Sequence, residues 1–163
     1  MNTQTTVLER LETDHNRQRE LLDQIAKTEG DSEERRRLFT ELTKELKSHA
    51  AAEEQAVYSE MLADPEVSGE TRHSVAEHHE IDEMLNDLAA TDMSSPGWML
   101  KFKSFDERYR HHINEEEDDH FPDFAEQIDE KMDKEMTKTF DERKKAEKAE
   151  AEVTPEKAED AKE

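Results

Sequence analysis

Along most of the chain, apolar residues recur alternately every three and four positions, the spacing of one helix face buried in a bundle. The first stripe runs Leu8, Leu11, His15, Gln18, Leu22, Ile25, and the second Phe39, Leu42, Leu46, His49, Glu53, Ala56. The third is Thr71, Ser74, His78, Ile81, Leu85, Leu88, and the fourth Phe102, Phe105, Tyr109, His112, Glu116, Asp119. Breakers at Gly30-Asp31-Ser32, Ala63-Asp64-Pro65, Ser94-Ser95-Pro96-Gly97 and Phe121-Pro122 separate the segments. The pattern predicts helices near 4–28, 32–62, 66–90, 96–119 and 122–146, and the segments are too polar for buried strands. The expected fold class is therefore all-α. An antiparallel four-helix bundle would occupy residues 1–125, an additional C-terminal helix 126–146, and a mobile acidic and basic tail 147–163.

From Asp141 to Glu163 the chain is Lys, Glu, Ala and Asp with Pro155 and almost no large apolar residue. Such a stretch buries too little surface to offset the entropy of ordering it, so the whole segment is expected to be dispensable.

The stripes are unusual in what interrupts them. A histidine stands on all four, and a glutamate follows the histidine by four residues on the second and fourth. His15 and His78, His49 and His112, and Glu53 and Glu116 are each 63 residues apart, and Glu54 and Glu117 keep the same offset. The chain thus reads as two related helix pairs, which pseudo-twofold packing would bring around one centre.

A single histidine with an acid four residues on carries little information in so acidic a chain, since His73, His78, His79 and His111 have one too. Register, core-facing position and repeated offset together are far more specific. Four imidazoles and two carboxylates buried without partners would cost several kcal/mol each, whereas a divalent cation accepts both donor types. His15, His49, Glu53, His78, His112 and Glu116 are the candidate ligands of a metal pair bridged by the two carboxylates. Asp82, four residues after His78, is a possible further ligand. Glu54 and Glu117 lie about 100° round the helix from the bridging positions and suit a supporting role. His73, His79, His111 and His120 fall off the stripes and are assigned no metal.

Composition narrows the chemistry. Of 163 residues 31% are hydrophobic and 42% charged, so the stripes, not the average, identify a folded chain. A formal charge of -22 repels phosphates, so neither nucleic acid nor an anionic membrane is expected as partner. Absence of cysteine excludes disulfides, iron–sulfur clusters and thiolate zinc sites. With no signal-like or membrane-length apolar run, a cytoplasmic location is expected.

These residues resemble the hemerythrin-like, or HHE cation-binding, domain family over residues 5 to 125. The matching pieces are Leu11-Glu12-Thr13-Asp14-His15, His49-Ala50-Ala51-Ala52-Glu53-Glu54, Glu77-His78-His79-Glu80-Ile81-Asp82, and His112-Ile113-Asn114-Glu115-Glu116-Glu117 ahead of Phe121-Pro122. The resemblance implies two non-haem, carboxylate-bridged iron ions on the same six residues, with zinc or manganese as other cations the donors accept. It also implies a small ligand such as dioxygen, peroxide or nitric oxide. Where oxygen-carrying hemerythrins have a second histidine four residues after the third-helix one, and an aspartate five after the last, this chain has Asp82 and Glu117. The departure points away from plain oxygen carriage and toward sensing, iron handling or redox protection.

The alternative is a diiron redox enzyme decomposing peroxide or nitric oxide. Tyr109 lies near enough to take part, though a tyrosine on a stripe is more commonly plain core. A ferritin-like oxidase needs matched Glu-x-x-His pairs; Glu12/His15 and Glu70/His73 are out of step with the repeat. A purely structural helical module is the remaining reading.

Overall fold

The computed structural model describes residues 6–151, which form a helical bundle. Helices α1 (Thr6–Ala26), α2 (Glu33–Glu53), α4 (Ser68–Ala90) and α5 (Pro96–Glu115) make up its four-helix core. Two of them continue beyond their α-helical portions. After α2 comes a π-helical turn, Glu54–Tyr58, then α3 (Ser59–Ala63); after α5 comes a second, Glu116–His120, then α6 (Phe121–Ala125). Helix α7 (Glu130–Ala151) closes the described chain.

Local chemistry sets the turns. Gly30, at φ +61°, is the only described residue with positive φ and reverses the chain between α1 and α2. Ser32 then caps α2 by accepting from the Arg35 amide at 3.1 Å. Ser95 caps α5 by accepting from the Gly97 amide at 3.2 Å, with Pro96 in the first turn, where its missing N–H costs nothing.

Every apolar residue of the four predicted stripes is buried, as are the histidines and glutamates that interrupt them. The core is divided in two. One apolar cluster, built around Leu22, Leu42, Leu85, Trp98, Phe102 and Phe105, fills the end nearest the α1–α2 turn. The other holds Leu11, Val57, Tyr58, Met61, Phe124 and Phe140. Each large side chain so buried contributes on the order of 1.5–3 kcal/mol. Between the clusters lies the belt of histidine and glutamate.

The sequence reading errs at the C-terminal side. Pro122 does not end the fourth helix, because it falls in the first turn of α6, where proline is tolerated. The break comes at residues 126–129, and the last helix starts at Glu130. Nor is the stretch from Asp141 to Ala151 a tail. It is helical, and α7 packs along α2 and α1 with Met136 and Phe140 buried at four-residue spacing. Residues 147–151, expected in the tail, belong to this helix; the rest of the expected tail, 152–163, lies outside the described residues. So do residues 4 and 5 of the first predicted helix.

Asp133 fastens α7 to the start of α1, accepting from the amides of Thr6 and Val7 at 2.9 Å each. Those amides have no partner within their own helix, so the carboxylate both caps α1 and meets the positive end of its dipole.

Candidate metal centre

The structure brings all six predicted ligand residues together at the level where the apolar clusters part. Glu53, His78, His112 and Glu116 present donor atoms within 4.8 Å of one another, and so do His15, His49 and Glu53. Glu53 Oε1 lies 3.0 Å from His78 Nε2 and 3.6 Å from His49 Nε2. Glu116 Oε1 lies 3.3 Å from His112 Nε2 and 3.6 Å from His15 Nε2. Each carboxylate thus stands between one histidine of its own half and one of the other.

Each imidazole is oriented from behind. His15 Nδ1 is 2.7 Å from Glu117, His49 Nδ1 2.8 Å from Asp14, His78 Nδ1 3.2 Å from Glu54 and His112 Nδ1 3.0 Å from Glu77. A carboxylate beside Nδ1 favours a proton there, so that in the neutral ring the Nε2 lone pair faces inward. The four carboxylates obey the 63-residue offset as the candidate ligands do: Asp14 matches Glu77 and Glu54 matches Glu117. Glu54 and Glu117 were legible as supporting residues; Asp14 and Glu77, one residue before His15 and His78, were missed although the same offset relates them.

The outer carboxylates are themselves held. Arg19 donates to Glu117 at 2.8 Å. Lys144 of α7 pairs with Asp14 and, at 2.9 Å, with Glu45. Burial pushes the Asp14 carboxyl up, but His49 and Lys144 outweigh it and hold the group below its ordinary range. Glu77 and Glu117 are lowered in the same way, against burial, by His112 and His15 respectively.

Tyr58 was not foreseen. Its hydroxyl donates to Glu116 Oε2 at 2.6 Å and lies 3.2 Å from His78 Nε2. Five residues of α-helix would carry Tyr58 about 140° round from Glu53. The wider π turn between them restores it to the inner face. Burial and the charges of Glu116 and Glu53 raise its phenol well above the usual value. At the offset position in the other half stands Phe121, stacked 6.1 Å from His15, so the two halves are alike in imidazoles and unlike here.

The remaining expectations divide. Asp82 does not join the donors: it is half-exposed and pairs with Lys47 at 3.2 Å. Tyr109 is core, its hydroxyl donating to Gln18, which in turn donates to Glu45 at 2.7 Å. His79 is exposed beside Glu83. His120 is buried, contrary to its off-stripe reading, because the inner face of the second π turn passes through His120 and Phe121 while Asp119 stays exposed.

The donor set suits a cation. Among the described residues, buried side-chain atoms without a hydrogen-bond partner include His15 Nε2, His49 Nε2, His112 Nε2, both Glu53 oxygens and Glu116 Oε1. These converge on one place, whereas unsatisfied buried polar atoms each cost about 1–3 kcal/mol and are ordinarily rare. Nitrogen and oxygen donors of this kind are those that iron, zinc or manganese accept.

Comparison with known proteins agrees with this geometry. The family described as Hemerythrin HHE cation binding domain matches residues 6–124. A crystal structure of a hemerythrin HHE cation binding domain-containing protein, the Rv2633c homolog from Mycobacterium kansasii, superposes with a TM-score of 0.78 at 26% identity. The match covers 90% of this chain and 89% of that one. No curated protein matches.

Proposed function

The chain belongs to the hemerythrin HHE cation-binding family, and from that premise we propose that it holds two non-haem iron ions and presents them to a small ligand. His15, His49, His78 and His112 would be terminal ligands, and Glu53 and Glu116 would bridge. The convergence of partnerless buried donor atoms carries this assignment. Such an ion pair supplies redox chemistry and Lewis acidity toward dioxygen, peroxide or nitric oxide.

The chain's own residues do the rest. Asp14, Glu54, Glu77 and Glu117 fix the imidazole tautomers, and the two apolar clusters keep bulk water from the belt. A cavity of about 40 Å³ touches His49 and His78 and is otherwise walled by Leu46, Ile81, Leu85 and Tyr109, with Lys47 and Asp82 at its edge. That is room for about one to three water-sized molecules, which suits a small ligand such as a diatomic or peroxide.

A redox enzyme that decomposes peroxide or nitric oxide is the second reading, and Tyr58 favours it. Its phenol holds a proton 2.6 Å from Glu116 in a buried site, placed to hydrogen-bond or donate to a reacting ligand. Protein purified without chelator should contain about two iron ions per chain with a non-haem spectrum. Absence of metal at the six residues would refute the proposal. Peroxide turnover well above that of free iron would select the enzyme, and a stable oxygenated spectrum the binding protein.

A further inference from the structure

The two halves of the repeat meet along two sides of the bundle, and those sides are not alike. On one, α1 packs against α5; on the other, α2 and α4 stay farther apart. The 63-residue offset relates positions on the two sides, so that Arg19 corresponds to Asp82, Arg110 to Lys47 and Ile113 to Ala50.

Between α1 and α5 the bundle is laced shut. Arg19 donates to Asn114 at 2.9 Å and to Glu117 at 2.8 Å, Arg110 donates to Asp23 at 2.7 Å, and Ile113 is fully buried. Between α2 and α4 the same positions hold shorter side chains. Lys47 Nζ reaches Asp82 at 3.2 Å and Asn86 at 3.3 Å, the ion pair is about half exposed, and Ala50 is only partly buried. An ion pair so exposed contributes under about 1 kcal/mol, so it yields readily.

The small cavity that touches His49 and His78 reaches the surface on this second side, where Lys47, Ala50 and Asp82 line it. Ala50 leaves open what an isoleucine would fill. Leu46, Ile81 and Leu85 wall the cavity, and among its lining residues Lys47 is the one lysine or arginine and Asp82 the one carboxylate.

We infer that this cleft between α2 and α4 is the portal through which a small ligand reaches the centre, and that Lys47 and Asp82 sort ligands there by charge. The inference rests on the metal pair proposed above and concerns how that pair is reached. A chain of formal charge -22 repels anions, and a lysine at the entrance offsets that repulsion locally. An uncharged diatomic is indifferent to both. Paired with Asp82, Lys47 makes the mouth near neutral, which admits uncharged ligands freely and anions more slowly.

The test mixes the iron-loaded full chain with azide, a small anion, or with nitric oxide, which is uncharged, and follows association by visible absorption. Ala50→Ile, which copies the closed side, should slow both ligands by about tenfold or more without loss of iron. At low salt Lys47→Ala should slow azide by about threefold to tenfold and Asp82→Ala should speed it by a similar factor. Nitric oxide should respond to neither charge variant beyond about twofold. The azide differences should fade in about 1 M salt, where charges are screened beyond about 3 Å. Unchanged rates of both ligands in Ala50→Ile would overturn the portal. Azide rates that the two charge variants move in the same direction, or not at all, would overturn the sorting by charge. Iron content of the same samples separates these failures from failure of the metal pair, which would leave the unaltered chain without iron.

Discussion

Lys144 on α7 pairs with Asp14 on α1, and Asp14 in turn holds His49 Nδ1 at 2.8 Å. A helix outside the four-helix bundle therefore reaches an inner imidazole through one carboxylate. Replacing Asp14 with Asn keeps the size of that link but removes the charge that would make His49 a stronger ligand. Asp14→Asn is expected to weaken metal affinity by about 10–100-fold with little change in helix content. Competition with a chelator of known affinity measures this; unchanged affinity would mean that the outer carboxylate does not tune the centre.

Deleting Glu130–Glu163 should destabilise the protein by several kcal/mol, since it uncovers the surface beneath Met136 and Phe140 and releases Asp133 from the first amides of α1. Deletion from Asp141 should cost less but still lower the melting temperature, because it removes the Lys144 links to Asp14 and Glu45. Thermal melts of the two truncations test the order, and a melt unaffected by loss of Asp141–Glu163 would return that segment to the role of a tail.

His49→Ala and Glu53→Ala should each remove most of the bound metal, because both residues are buried where the donor atoms converge, His49 beside His15 and Glu53, and Glu53 beside His78 of the other half. His79→Ala, at an exposed position, should retain it. Elemental analysis of the three variants is sufficient, and near-complete metal in both of the first two would rule out the assigned ligands.

Tyr58→Phe copies the other half of the molecule, where Phe121 occupies the matching place, so the fold should accept the ring. The lost hydrogen bond is charge-assisted and leaves Glu116 Oε2 without its donor. Metal-free Tyr58→Phe should therefore be less stable by about 1.5–3 kcal/mol in chemical denaturation. A difference below about 0.5 kcal/mol would show that this hydrogen bond contributes little to the metal-free fold.

The inner stripes were legible because burial obliges apolar residues to repeat at the helical period, and the 63-residue offset made polar residues on those stripes conspicuous. Two features hid the rest. A π turn changes the phase of a helix without any marked residue, so Tyr58 reads as outward-facing at the α-helical period, and the alternating spacing runs to Asp119 where the buried residue is its neighbour His120. Helix α7 carries its apolar contacts, Met136 and Phe140, within a strongly charged stretch whose composition suggests a solvated chain. Asp14 and Glu77 were hidden differently: acids are abundant here, and only contact with a particular imidazole nitrogen distinguishes these two.

Proton competition should dominate the pH dependence of the metal-free protein. Burial pulls His78 down, but the Glu53 carboxylate 3.0 Å away and the hydrogen bond with Glu54 outweigh it and raise the group to about 9. His112, likewise buried, is raised to about 10 by the Glu116 carboxylate 3.3 Å away and by its hydrogen bond with Glu77. A histidine raised above its unfolded value near 6.5 stabilises the fold fully below that pH, and the contribution is lost as pH climbs through the folded value. The metal-free protein should therefore lose stability between about pH 6.5 and 10. Below about pH 5 it should lose stability again, because Asp14, Glu77, Glu116 and Glu117 are held below their ordinary range and must then take up protons. Metal requires neutral imidazoles, so loading near pH 7 should release at least about two protons, one each from His78 and His112, and bind more tightly as pH rises toward 9. His49, which Asp14 and Glu53 raise against its burial, should contribute further. Calorimetric titration in buffers of different ionisation enthalpy counts the protons. Melts of metal-free and metal-loaded protein follow the stability gap, which should widen from pH 6 to 9 and shrink toward pH 5. A gap that stayed constant over that range, with no protons released, would place the metal away from these imidazoles.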